Sequence, residues 1–192
     1  MRFDILTIFP GLFQSFLNES LISKAIDGQK IRVNIHDIRK FTRDKHKMVD
    51  DKPYGGGPGM VLKVEPIFRG LKSIKKLKKR KIIILSAKGK TYNQRLAEKY
   101  AQFDQLILIC GRYEGFDERI KKFVDEDISI GDYITMGGEI PSMVLMESVA
   151  RLIPGVIGCS ESVSEESFSK NNNYLEYPQY TRPPEFKGLK VP

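Results

Sequence analysis

Two cysteines and two histidines in 192 residues leave little room for several kinds of chemistry. Cys110 and Cys159 lie far apart and match neither a metal-ligand nor a redox spacing. Cys110 ends the apolar run LILIC, where a thiol serves as a small buried hydrophobe. His36 and His46 are too few for a histidine-based metal site, so no metal is expected. No stretch is apolar and long enough to span a bilayer, no secretory signal opens the chain, and no internal repeat appears. These absences indicate a cytoplasmic, soluble protein with no membrane partner. With 41% hydrophobic residues and only 10 prolines, the composition is globular rather than disordered. A chain of this length supports one well-buried domain with a small appendage. The net charge of +8 and pI near 9.4 fit an anionic partner, although a lysine-rich proteome gives the same balance.

Continuous apolar runs alternate with amphipathic stretches. FDILTIF (3–9) is β-prone and is followed by Pro10, which opens a helix at no cost because its missing N–H would be unpaired there. Leu12, Phe13, Phe16 and Leu17 recur at helical spacing, with a turn near Asp27-Gly28. IRVNIH (31–36) alternates as a strand with one wet face. Residues 65–81 read as a helix with a basic tail, since Arg69 to Lys81 holds eight Lys/Arg and no acid. Further strands follow at IIIL (82–85), LILI (106–109) and ISI (128–130), with amphipathic segments at 92–102 and 116–124. A last helix is expected from Pro141 to Ile153, ended by Pro154-Gly155. This alternation predicts an α/β fold with a mostly parallel sheet covered by helices on both faces. From Gly158 to Asn173 the chain turns Ser/Glu/Asn-rich, as a linker would, and a segment with four prolines and three tyrosines follows.

Each of the later strands runs into a polar loop containing glycine: SAKG (86–89), GRYEG (111–115) and GDYITMGGE (131–139). Open parallel sheets bind ligands at the carboxyl ends of their strands, where such loops converge. A fourth glycine-rich stretch, DDKPYGGGPGM (50–60), packs four glycines and two prolines into eleven residues. Loops this costly to order persist where something must approach the backbone closely. It is not a P-loop, because Met60 and Val61 follow Gly59 where Lys and Ser/Thr are needed, and no dinucleotide fingerprint fits either. The ligand is therefore expected to be held largely by backbone groups, with Glu114 and Asp132 as the available charges. Structural roles compete for both acids: an ion pair with Arg112 or Arg119 for Glu114, and closure of the GDY corner for Asp132.

The blocks DKHKMVDDKPYGGGPGM (44–60), GRYEGFDER (111–119), SIGDYITMGGEIPSMVLMESVARLIPGVIG (129–158) and YPQYTRP (177–183) resemble the bacterial tRNA (guanine-N1)-methyltransferases. That family belongs to the SPOUT superfamily of S-adenosylmethionine-dependent enzymes, and the resemblance covers nearly the whole chain in order. It implies a deep trefoil knot, an obligate homodimer, and S-adenosyl-L-methionine as methyl donor. It also implies a tRNA with guanosine at position 37 as substrate. Carried onto this sequence, the donor site takes Leu85, Ser86, Gly89, Gly111, Tyr113, Glu114 and Gly115. It continues with Ile130, Gly131, Asp132, Tyr133, Ile134, Thr135 and Gly138. The glycine loop would lie beside this pocket, with Tyr54, Gly57 and Pro58 shaping the entry of the guanosine.

The same resemblance places a catalytic arginine at Arg151. In the family motif of acid-Asp-Ser-Phe, this chain reads Glu165-Glu166-Ser167-Phe168, so Glu166 stands where the base aspartate is expected and Ser167 beside the substrate. The glutamate is one methylene longer, and KNNNYLE (170–176) also runs slightly longer than usual. Domains are expected at 1–157 (donor-binding), 158–174 (linker) and 175–192 (the start of a tRNA-binding domain), the helical C-terminal domain being largely absent from the chain. Alternatives are a SPOUT methyltransferase acting on another RNA, and a catalytically idle RNA-binding relative.

Overall fold

A computed structural model describes residues 1–158, 166–168 and 175–192. The chain divides into two compact units, Met1–Gly158 and Cys159–Pro192. Cys159 and most of the linker expected at 158–174 lie outside the described residues.

The first unit is built on β1 (Arg2–Thr7), β2 (Arg32–Asp37), β5 (Arg80–Thr91), β6 (Gln105–Cys110) and β7 (Glu126–Ser129). They form one sheet in the order β2-β1-β6-β5-β7, every pair parallel. A two-residue ladder, β3 (Asp50–Asp51) with β4 (Val61–Leu62), closes the glycine-rich loop between them. The helices are α1 (Gln14–Asn18), α2 (Ser20–Asp27), α3 (Val64–Ser73), α4 (Gln94–Ala101) and α5 (Glu139–Ala150).

The apolar runs are continuous because both faces of the sheet are covered. Alternate residues point to opposite sides. Ile83, Leu85, Leu106 and Leu108 join one core with residues of α2, α4 and α5. Ile82, Ile84, Ile107 and Ile109 join a second core with Ile67 and Leu71 of α3. Every residue of the central strand β6 is buried, and each such Leu or Ile contributes about 1.5–3 kcal/mol. At the amino ends of β1 and β6 the second face turns polar. Asp4 there accepts hydrogen bonds from Arg2 (2.8 Å), Asn34 (2.9 Å) and Gln105 (2.7 Å), and lies 2.9 Å from His36. Burial pushes its carboxyl up, but these bonds and the Arg2 charge outweigh burial and hold it below the usual value.

The local periodicity misjudged four segments. The helix expected over 65–81 stops at Ser73, because Ile74 turns into the core and the Leu77 N–H donates to Gln105 Oε1 at 2.8 Å. Extending it would also stack Lys72 on Lys76 and Lys75 on Lys79 at i,i+4, which is repulsive. SAKG is not the end of a strand: Leu85 and Lys90 both pair with Ile128, so 86–89 bulges out within β5. The segment 116–124 forms a 3-10 turn (Glu118–Phe123) rather than an α-helix. The strand at 31–36 lies at the sheet edge, and Val33 through Asp37 are all half-buried instead of alternating.

The second unit contains a hairpin of β8 (Glu185–Phe186) and β9 (Leu189–Lys190). It turns on Lys187 and Gly188, both at positive φ (51° and 80°), as a tight two-residue hairpin requires. The sequence reading missed this hairpin.

Candidate active site

Three loops meet at the carboxyl ends of the central strands: the bulge after Leu85, the loop after Cys110, and the loop after Ser129. Together they enclose an open cavity of about 440 Å³, within the usual size of small-molecule sites. Leu85, Ser86, Gly111, Tyr113, Glu114, Gly115, Ile130, Tyr133, Ile134, Thr135 and Gly138 all line it. Gly89, Gly131 and Asp132 do not. Gly89 instead sits behind the wall, where a Cβ would come within 2.5 Å of the Ile128 backbone nitrogen.

Four glycines, Gly111, Gly115, Gly137 and Gly138, line the cavity, and at two of them a side chain has no room. A Cβ on Gly111 would meet the Phe116 ring at 2.9 Å. One on Gly138 would lie 2.6 Å from Cys110 Cα and 2.7 Å from the Gly111 nitrogen. The chain leaving β7 therefore crosses directly over the end of β6, and Gly138 N–H seals the crossing by donating to Gly111 O at 2.8 Å. Tyr113 holds φ 59°, a strained value for a side-chain-bearing residue that marks a constrained site.

The competing structural roles for the two acids are not what the structure has. Arg112 pairs with Glu139 (2.8 Å) and Arg119 with Asp117 (2.5 Å), while Glu114 makes no ion pair among the described residues. Ser129, not Asp132, closes the corner: its Oγ donates to Gly131 O at 3.0 Å and accepts from Gly131 N–H at 3.3 Å. Glu114 is instead fixed through its main chain, its N–H donating to Met60 O at 3.0 Å. The glycine-rich loop is thereby tied to the cavity wall. Gly55, Gly56, Gly57 and Gly59 all have positive φ, and a Cβ on Gly59 would touch the Glu114 carboxylate at 2.5 Å. Tyr54, Gly57 and Pro58 are exposed in this loop next to the cavity and not among its lining residues.

Sequence reasoning missed a buried network behind the cavity. Arg112 Nε donates to Glu139 Oε2, and Thr7 Oγ1 donates to Glu139 Oε1 at 2.7 Å. Arg112 also donates to Met136 O at 3.2 Å and lies over the Phe9 ring. Glu139 is fully buried at the first turn of α5. The one available signal was an acid placed directly after Gly137-Gly138 at the head of a mostly apolar helix. Burial and the nearby Glu139 charge push the Cys110 thiol far up, so it stays a protonated core residue, as its sequence context indicated.

Arg151 caps the carboxyl end of α5, its N–H donating to Glu147 O at 3.1 Å. Glu166 and Ser167 belong to the second unit. There the Ser167 N–H donates to the Glu176 carboxylate and the Glu176 N–H donates to Ser167 Oγ, both at 3.2 Å. The described residues contain no cluster of potential metal ligands.

A parallel sheet with a cavity at its carboxyl ends, and a loop crossing the end of its central strand, define the α/β fold of an enzyme. The family model described as tRNA (Guanine-1)-methyltransferase TrmD matches residues 1–192, and the chain belongs to that family. A tRNA (guanine-N(1)-)-methyltransferase of Dictyoglomus turgidum is 50% identical over 192 residues, covering 100% of this chain and 77% of that relative. One of Nostoc punctiforme is 51% identical over 193 residues, covering 100% and 80%. The crystal structure of tRNA (m1G37) methyltransferase from Aquifex aeolicus superimposes with a TM-score of 0.84 at 39% identity, covering 100% of this chain and 80% of that one.

Proposed function

We infer that the chain is a tRNA methyltransferase that places a methyl group on N1 of guanosine 37, with S-adenosyl-L-methionine as donor. The observation that carries the donor assignment is the convergence of the three post-strand loops on one cavity. Its apolar lining (Leu85, Ile130) beside the main chain of Gly111 and Gly115 suits an adenine ring held by main-chain hydrogen bonds. Glu114, which lines the cavity and has no ion-pair partner among the described residues, suits a cation. When bound, the donor supplies an electrophilic methyl group on a sulfonium sulfur.

The residues then have distinct tasks. Guanine N1 becomes nucleophilic only by losing its proton, while negative charge develops on O6. Glu166 accepts that proton, and the Arg151 guanidinium faces the charge on O6. Ser167 and the Tyr54–Pro58 loop hold the nucleoside in line. The longer reach of glutamate shifts the base by about one ångström, a displacement large enough to matter for rate.

The remaining assignments belong to the same proposal. A trefoil crossing fits the contact of Gly138 with the end of β6. A homodimer fits the outer side of α5, where Ile140 (56% exposed) and Val144 (40%) leave apolar surface, although the inner side of that helix is already in the core. Residues 1–157 carry donor binding, 158–174 link, and 175–192 serve tRNA binding. The enzyme acts in the cytoplasm, where tRNA is modified, and no described helix is long and apolar enough to cross a membrane.

The decisive assay is transfer of labelled methyl to a tRNA transcript with guanosine at position 37, run beside an adenosine-37 transcript. Label should enter the first alone, and Glu166→Gln should abolish it. Equal labelling of both transcripts, or of neither, would refute the reading.

A further inference from the structure

The lysine run has no role in the site above. Lys72, Lys75, Lys76, Lys78 and Lys79 are exposed and have no carboxylate partner among the described residues. Their segment is irregular, yet its backbone is held firmly. Ile74 is buried in the core. Leu77 N–H donates to Gln105 Oε1 at 2.8 Å, and Lys75 O accepts from Gln105 Nε2 at 3.3 Å and from the Arg2 guanidinium. Gln105 is itself fully buried and donates to Asp4 at 2.7 Å. A basic tail that only kept the protein soluble would need none of these anchors, since charge in water acts without fixed geometry.

Resting on the methyltransferase reading, we propose that Lys75–Lys79 is a preorganised phosphate-binding loop that grips the tRNA backbone away from the methylated base. Its place in the fold sets the distance. Gln105, which holds the loop, begins β6, and Cys110 ends it at the cavity. Five strand steps of roughly 3.3 Å put the two about 17 Å apart. A single nucleotide cannot span that, whereas an RNA arm can. A polyanion is the occupant because the four exposed side chains of the loop, Lys75, Lys76, Lys78 and Lys79, are all cations, with only the half-buried Leu77 between them.

The test compares the parent chain, a loop variant (Lys76→Gln, Lys78→Gln, Lys79→Gln) and a charge-matched control (Lys24→Gln, Lys30→Gln, Arg95→Gln). Affinity for a guanosine-37 transcript is measured by anisotropy over a salt series, and affinity for S-adenosylhomocysteine by calorimetry. The loop variant should bind tRNA ten-fold or more weakly at about 0.1 M salt, with a salt slope shallower by about 2, while the control stays near the parent. Analogue affinity should be the same in all three. A loop variant that matches the control overturns the proposal, as does one that loses analogue binding as well. A parent that binds the analogue but no tRNA overturns the substrate reading too, whereas tRNA binding by the parent and loop variant alike overturns this proposal alone.

Discussion

Replacing Gly138 by alanine tests the crossing that builds the cavity. The added Cβ would lie 2.6 Å from Cys110 Cα and 2.7 Å from the Gly111 nitrogen. Both are main-chain atoms of a strand end locked between two neighbours, so no flexible side chain can yield. Ordinary contact begins near 3.4 Å, so the crossing segment must shift by roughly 0.8 Å. Overpacking of this kind costs about 1–3 kcal/mol. The shift also pulls on the 2.8 Å bond from Gly138 N–H to Gly111 O, worth about 1 kcal/mol. A loss of roughly 2–4 kcal/mol follows, a large share of the 5–15 kcal/mol typical of a domain. Gly11→Ala is the control, since Gly11 is exposed and a Cβ added there would meet no atom within 4 Å. Urea unfolding followed by circular dichroism reads stability, and calorimetry reads affinity for S-adenosylhomocysteine. Gly138→Ala should unfold at clearly lower urea and lose most analogue affinity, with Gly11→Ala close to the parent. A Gly138→Ala protein with parental stability and parental affinity would refute the crossing as the wall of the cavity.

Gly59→Ala should act on the donor while sparing the fold. Its φ of +84° strains alanine by about 1–2 kcal/mol, and the new Cβ displaces the Glu114 carboxylate. Affinity for cationic S-adenosylmethionine should then fall more than affinity for neutral S-adenosylhomocysteine, and equal losses in calorimetry would remove Glu114 from the cation's surroundings. Asp4 gives a pH signature. Its folded pKa is depressed, so its contribution is fully present above the unfolded value near 3.9 and disappears as pH falls through the folded one. The stability gap between the parent and Asp4→Asn should be largest at neutral pH and narrow once the pH falls below the unfolded value near 3.9. Urea midpoints at several pH values check this, and a gap independent of pH would contradict it.

The sequence by itself determined the layers and the positions of the loops that line the cavity. Runs such as LILIC are apolar without alternation only when a strand is covered on both sides, and the structure buries every residue of β6 accordingly. Glycine loops after such strands are legible because backbone that must pass close to other backbone tolerates no Cβ. The quoted family blocks added the reaction, which no periodicity could supply. Tertiary structure decided what depends on partners distant along the chain. Whether 65–81 continues as a helix depends on Gln105, and whether SAKG ends a strand depends on Ile128 pairing twice. The pairing of Glu139 with Arg112 and Thr7 joins residues up to 132 positions apart. Hydrophobic spacing records that a residue is buried but not against what, because burial depends on area removed from water and not on the identity of the neighbour. Strand order, the crossing at Gly138 and the pinned lysine loop are choices of neighbour, and only the folded chain makes them.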